Sequence, residues 1–271
     1  MSVIILFIAM AFLLLTGIPI GVALAGAMLI LLIFDPVTSV EFIAQSLYSG
    51  LDSFILIALP FFIMAGTIME KAGISQKLVN AANSIVGNVT GSLGMVSIIT
   101  CMLFGAVSGS AIATVAAVGS IMLPEMAKAG YDKRYATGLI AVAGSLGMIV
   151  PPSSPMIVYG VTNNVSINAL FMEGIVPALI LSSLIMIVNY YYNKKNGYTG
   201  NDEKLSIKNI IKSFWDAKWA LFMPILVLGG IYTGIFTPTE AAVIACTYGL
   251  IIGIFIYKTL NVRKIWDLYK S

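Results

Sequence analysis

All fifteen lysines and arginines of this chain fall in a few short windows, and long apolar runs lie between them. A helix needs about 20 consecutive apolar residues to cross hydrocarbon roughly 30 Å thick. The runs at 3–34, 53–70, 92–127, 135–165, 171–193, 219–235 and 240–257 are of that order or longer. Only 10% of the 271 residues are charged, where a soluble domain carries about 25%. The chain is therefore read as an all-α membrane protein, a polytopic helical bundle embedded in a lipid bilayer. Its first run lacks a basic leader region and is too long for a signal peptide. The turn-forming Thr16-Gly17-Ile18-Pro19 divides it into two short helices.

Basic residues mark cytoplasmic loops. That assigns to the cytoplasm the windows at Lys71 and Lys77, and at Lys128, Lys133 and Arg134. It also assigns the 194–218 loop, with Lys194, Lys195, Lys204, Lys208, Lys212 and Lys218, and the tail with Lys258, Arg263, Lys264 and Lys270. The polar stretches 35–52, 166–173 and 236–240 then face outward and hold only Asp35, Glu41, Asp52, Glu173 and Glu240. The amino terminus is expected on the periplasmic side. Run 92–127 is flanked by basic windows at both ends, so it must enter and leave on one side. A straight helix cannot do that. A re-entrant hairpin can.

The hairpin has a candidate tip in Gly105 to Thr114, where glycines permit a tight turn and hydroxyls can serve freed backbone groups. The competing reading is a straight helix whose small residues form a packing face. A second unusual segment follows at Gly144-Ser145-Leu146-Gly147-Met148-Ile149-Val150-Pro151-Pro152-Ser153-Ser154-Pro155. Consecutive prolines remove backbone donors and push the preceding residue out of helical space. A helix from about Tyr135 should unwind by Val150 and restart with Ser154 as N-cap and Pro155 behind it. The competing reading is a plain proline kink. Exposed carbonyls at one half-helix and exposed amides at the other suit a cation and an anion respectively, as in secondary transporters built on discontinuous helices.

Several classes are excluded. The chain has no histidine, so Ser108 followed by Gly109 lacks the usual base of a serine protease, and no span holds the carboxylate pair of an aspartyl one. No enzyme activity is expected. The net charge of +3 is too small and dispersed for nucleic acid, and no filter-like run or charge ring suggests a channel. Cys101 and Cys246 sit in apolar runs as unpaired packing residues. The segment 71–91 is amphipathic, with Leu78, Ala81, Ala82 and Ile85 on one face. Thr237-Pro238-Thr239-Glu240 carries the residues of a helix capping box.

Taken together, Ala58 to Gly66, Gly105 to Thr114, Gly119 to Met126, Val150-Pro151-Pro152-Ser153 and Gly234 to Ala242 resemble the large membrane subunit (DctM-like) of TRAP, tripartite ATP-independent periplasmic, transporters. The resemblance implies sodium-coupled import of organic anions, of C4-dicarboxylate or sialic-acid type, across the bacterial inner membrane. It implies Na+ as coupling ion and no organic cofactor, a small DctQ-like membrane subunit and a periplasmic DctP-like binding protein. Carried onto this chain, the sodium ligands would be Ser108, Gly109, Ser110, Gly147, Val150 and Pro152, with Thr114, Ser153 and Ser154 toward the substrate. Such proteins have two inverted repeats. Here one membrane domain over 1–271 divides into N-terminal scaffold helices and the amphipathic segment (1–91), hairpin, broken helix and following span (92–193), cytoplasmic loop (194–218) and the start of a second repeat (219–271). The chain is thus expected to be a truncated transporter, the alternative being a non-transporting scaffold or assembly subunit.

Overall fold

Gly17 ends the first helix. In the computed structural model, which describes residues 2–34, 39–198 and 206–260, α1 (Ser2–Leu15) stops where Gly17 takes a φ of 80°. Helix α2 (Ile20–Phe34) starts behind Pro19, whose carbonyl accepts from the Ala23 amide. The two helices pack through Ala23 and Ala27, with Gly26 close to Leu13, while Phe7, Phe12 and Leu15 are exposed. The expected outward loop at 35–52 is instead largely helical over α3 (Val40–Leu51), because Ser39 caps it by accepting from the Phe42 amide. Residues up to Ser53 form one compact unit and those from Phe54 onward a second.

The second unit opens with a 3-10 turn (Phe54–Ile57) and α4 (Ala58–Lys71). Helix α5 (Ile74–Val86) buries Leu78, Ala81 and Ala82 as its periodicity predicts, but leaves Ile85 exposed. Run 92–127 is two packed helices, α6 (Ser92–Ser108) and α7 (Ala111–Lys128), joined at Gly109 and Ser110. The hairpin thus forms, with a connection shorter than the ten-residue tip expected. The proline-rich run is broken as expected into α8 (Lys133–Gly144) and α9 (Leu146–Ile149), then α10 (Ser154–Asn163). The two halves are bent by 40°. Val150 is extended, and the restart is capped by Ser153, accepting from the Met156 amide, rather than by Ser154. With Ser153 extended at φ −125°, Ser154 is already the first helical residue.

Helix α11 (Ile167–Asn196) is followed by α12 (Ile207–Asp216), α13 (Lys218–Tyr232) and α14 (Pro238–Ile251). A π-helical turn, Ile252–Ile256, extends the last of these. The 194–218 stretch is therefore not simply a loop: α11 runs on until Gly197 (φ 75°), and α12 fills the distal part. Ile207, Ile210, Ile211, Phe214 and Trp215 recur there at helical spacing among the lysines, a pattern that overrides polarity as a guide. The capping box forms as read, with Thr237 and Glu240 bonding each other's backbone amides. Cys101 and Cys246 are buried and free. Every regular element among the described residues is helical, and 54–71, 111–128, 167–196 and 238–256 are each long and apolar enough to cross a membrane. Two bent pairs, 133–163 and 207–232, bring the number of spans to as many as six. The charges Asp35, Lys204, Arg263, Lys264 and Lys270 lie outside the described residues.

A polar and aromatic latch absent from the sequence reading ties both feet of the hairpin to the end of α11. The fully buried Asn189 donates to the Gly91 carbonyl (3.1 Å) at the first foot. It also accepts from the Tyr135 hydroxyl (2.8 Å) beyond the second, and that hydroxyl accepts from Asn193 (3.0 Å). Tyr198 stacks on Tyr131 at 4.3 Å and accepts from the Asp132 amide, while Tyr192 stacks on Tyr135 at 3.8 Å. Burial pushes the Tyr131 hydroxyl up to about 12, with Tyr198 adding to the rise, so Tyr131 stays neutral at cellular pH.

Two outcomes follow. Cysteines replacing exposed Asn88 and Lys128 should react with an impermeant thiol reagent from the same side of sealed vesicles, free of background from the buried native cysteines. Labelling from opposite sides would exclude the hairpin. Tyr135→Phe removes the hydroxyl shared by two buried asparagines and should lower stability by about 1–3 kcal/mol, measured by denaturant unfolding in detergent. An unchanged midpoint would mean that the latch does not hold the feet.

Candidate functional site

Matched lengths bring the hairpin tip to the break. Helix α6 has 17 residues and the segment 133–149 has the same number, and both start from the latched end. At a rise of 1.5 Å per residue each reaches about 26 Å. Their ends, Gly109 and Val150–Ser154, therefore meet.

The contact is backbone on backbone. The Ser154 amide donates to the Gly109 carbonyl (3.2 Å), which satisfies one exposed donor of α10 with an exposed acceptor of the tip. Gly109 adopts φ 59°, a left-handed conformation that favours glycine. A Cβ there would lie 2.8 Å from the Pro152 carbonyl oxygen. Deeper in, a Cβ on Gly105 would come within 2.6 Å of the Gly147 Cα, and one on Gly147 within 2.8 Å of the Ser110 carbonyl oxygen. Gly66 of α4 closes the third side, where a Cβ would meet that of Ser108 at 2.9 Å.

Hydroxyls fill the remaining space. Thr114 donates to the Ser110 carbonyl (2.7 Å), and the Thr114 and Ser108 hydroxyls are 3.1 Å apart, both residues fully buried. Ser110 caps α7 by accepting from the Ala113 amide. Ser153 donates to the Met148 carbonyl across the break. The Ser154 hydroxyl is buried and has no hydrogen-bond partner. Of the nine expected site residues, Ser108, Gly109, Ser110, Thr114, Gly147, Pro152 and Ser154 thus meet at one junction. Ser153 spends its hydroxyl within its own segment. Val150 is only half-buried, gives its amide to Leu146, and packs its side chain against the core.

Chemically, the junction is rich in oxygen atoms and holds neither histidine nor carboxylate. The Ser110 and Pro152 carbonyls, with the Ser154 hydroxyl, offer hard neutral donors, a set that fits an alkali cation and not a soft transition metal. Among the described residues no cluster of His, Cys, Asp or Glu could hold a metal ion. Sequence reasoning missed Gly66 as the third wall and the Asn189–Asn193 latch. The latch did leave a signal, two asparagines four residues apart, on one face of α11.

A helical hairpin closed against a discontinuous helix, among apolar helices long enough to cross a bilayer, defines a class of multi-pass membrane protein, and comparison with known proteins agrees. Residues 7–269 match the family described as "Tripartite ATP-independent periplasmic transporter, DctM component", and the chain belongs to that family. It is 43% identical over 263 residues to the isethionate TRAP transporter permease protein DctMQ of Oleidesulfovibrio alaskensis, covering 97% of this chain and 41% of that protein. It is 40% identical to the sialic acid TRAP transporter large permease protein SiaM of Vibrio cholerae (96% and 60%). The C4-dicarboxylate TRAP transporter large permease protein DctM of Rhodobacter capsulatus is 37% identical (98% and 63%). The chain thus spans about two-fifths to three-fifths of these relatives. Their names are those of permeases and not of enzymes.

The glycine contacts make a direct test. Gly105→Ala or Gly147→Ala places a methyl group against backbone and should cost about 1–3 kcal/mol by overpacking. Gly138→Ala, in α8 with nothing within 4 Å, should be neutral or stabilising by up to about 1 kcal/mol. Equal effects at the three sites, read from thermal unfolding in detergent, would contradict the close approach.

Proposed function

We propose that this chain forms the ion-coupling half of a TRAP transporter's large subunit, importing an organic anion across the bacterial inner membrane with Na+ as the driving ion. The observation that carries the reading is the junction of tip and break. There the Pro152 carbonyl and the Ser154 hydroxyl lie against Gly109 and the Ser110 carbonyl against Gly147, and the Ser154 hydroxyl lacks a partner. Sodium entering would be held by oxygens of Ser110, Pro152 and Ser154, with Ser108, Gly109 and Gly147 shaping the space around them. Val150 would contribute only through its extended backbone. The anion would meet the amide end of α10, near Ser153 and Ser154 and across from Thr114, where the helix dipole favours negative charge.

Isethionate, sialic acid and C4-dicarboxylates, named for the relatives, are all small organic anions, which supports the substrate class. A small DctQ-like membrane subunit and a periplasmic DctP-like binding protein are the proposed partners. The positions of the described basic residues support an orientation with the latch in the cytoplasm, the hairpin tip at membrane depth and the amino terminus in the periplasm.

Sodium binding tests the reading without requiring the partners. Ion binding at 100-fold its Kd should stabilise the folded chain by about 2.7 kcal/mol, so Na+ should raise the unfolding midpoint where K+ and choline do not. Ser154→Ala removes a hydroxyl that bonds nothing else. It should leave the midpoint in choline unchanged and weaken the Na+ response at least tenfold in concentration. Equal midpoints in Na+ and K+ would overturn the proposed ion.

A further inference from the structure

Helix α12 is amphipathic, yet it buries none of its residues fully. Its Ile210 and Ser213 edge is half-buried, and α12 packs mainly against α5. A second apolar ridge is left open: Ile207 is 76% exposed, Ile211 63% and Trp215 67%. One turn on, the chain bends by 63° into α13, whose Trp219, Phe222 and Ile225 are also exposed. The open ridge of α12 is therefore continuous in sequence with the exposed face of α13, an apolar helix.

The charges on this elbow are one-sided. Lys208 and Lys212 are exposed and flank the open ridge at one helical turn's spacing. The Lys218 ammonium sits 3.9 Å from the centre of the Trp215 ring and 5.5 Å from that of Trp219. Lys77 on α5 adds a fourth positive group, over the Tyr257 ring. Asp216 is the one acidic residue of the helix, and the only ion pair among the described residues joins Lys128 to Glu125, elsewhere. Among the described residues, then, no carboxylate pairs with Lys208, Lys212 or Lys218, which leaves their charge available to a partner outside the protein.

We propose that the α12–α13 elbow is a docking site for anionic phospholipid. Ile207, Ile211 and Trp215 enter the acyl boundary, and Lys208, Lys212 and Lys218 bind headgroup phosphates. An apolar ridge flanked by lysines, ending in tryptophans at the mouth of a span, is what an interfacial helix needs. The Trp215 and Trp219 rings hold the Lys218 ammonium at the elbow, where a phosphate can approach it from the headgroup layer. The site lies apart from the tip–break junction and requires only that the chain sit in a bilayer, so it does not depend on sodium or on any substrate.

The test is lipid preference of the whole chain in nanodiscs, containing phosphatidylcholine with increasing phosphatidylglycerol. Native mass spectrometry of released protein should show retained phosphatidylglycerol at low mole fraction. The triple variant K208Q/K212Q/K218Q should lose the preference by more than tenfold, at about fivefold per lysine, and the triple Arg variant should keep it. If the triple Gln variant fails to fold, K208Q and K212Q singly, both at exposed positions, should each lower the preference about fivefold. A phosphatidylglycerol preference equal in wild type and Gln variants would overturn the site, as would no preference in the wild type. Protection of Ile211→Cys by a bound protein rather than by lipid would overturn it too.

Discussion

The fold of the described membrane core turns on one exchange: the hairpin tip and the broken helix satisfy each other's open backbone. Within hydrocarbon an unpaired amide or carbonyl costs on the order of several kcal/mol, and the local caps at Ser110 and Ser153 leave the Ser154 amide and the Gly109 carbonyl to pair with each other. The amide of Ser154 and the carbonyl of Gly109 meet because nothing larger than hydrogen stands on Gly105, Gly109 and Gly147. Glycine lets the two backbones come within contact distance, with the Pro152 carbonyl and Ser154 hydroxyl against Gly109 and the Ser110 carbonyl against Gly147.

Holding that contact in register requires the other end of the hairpin to be fixed. The latch of Asn189, Asn193, Tyr135 and Tyr198 does so by bonding the backbone of Gly91 on one side and Asp132 on the other. With the feet fixed, arm length alone decides where the tip arrives, and the segment 133–149 equals α6 in length. A hairpin anchored at its feet and closed at its tip is tied to the broken helix at both ends.

Much of this was legible beforehand, for identifiable reasons. Segregation of basic residues to both flanks of 92–127 forced the chain to turn back inside that run, and the prolines at 151, 152 and 155 forced the break. Thr237 and Glu240 carried a complete capping box that forms as written. Errors arose where polarity stood in for periodicity. Val40–Leu51 and Ile207–Asp216 are helices because apolar residues recur at helical spacing, although their charge suggested loops. The N-cap of α10 shifted by one residue because Ser153 and Ser154 are chemically equivalent, and only the backbone angle at Ser153 selects between them.

By itself, then, the sequence determined the environment, most of the long apolar helices, the sidedness constraint and the two places where the backbone must open, since each follows from local composition or from counting charges. It did not determine which open segments would face each other, nor that Gly66 would wall the junction and Asn189 would tie the hairpin's feet. Those contacts join residues far apart in the chain, up to 98 positions for Asn189 and Gly91. No local pattern encodes such distances; only packing of helices of matched length, with glycine where they cross, brings those atoms together.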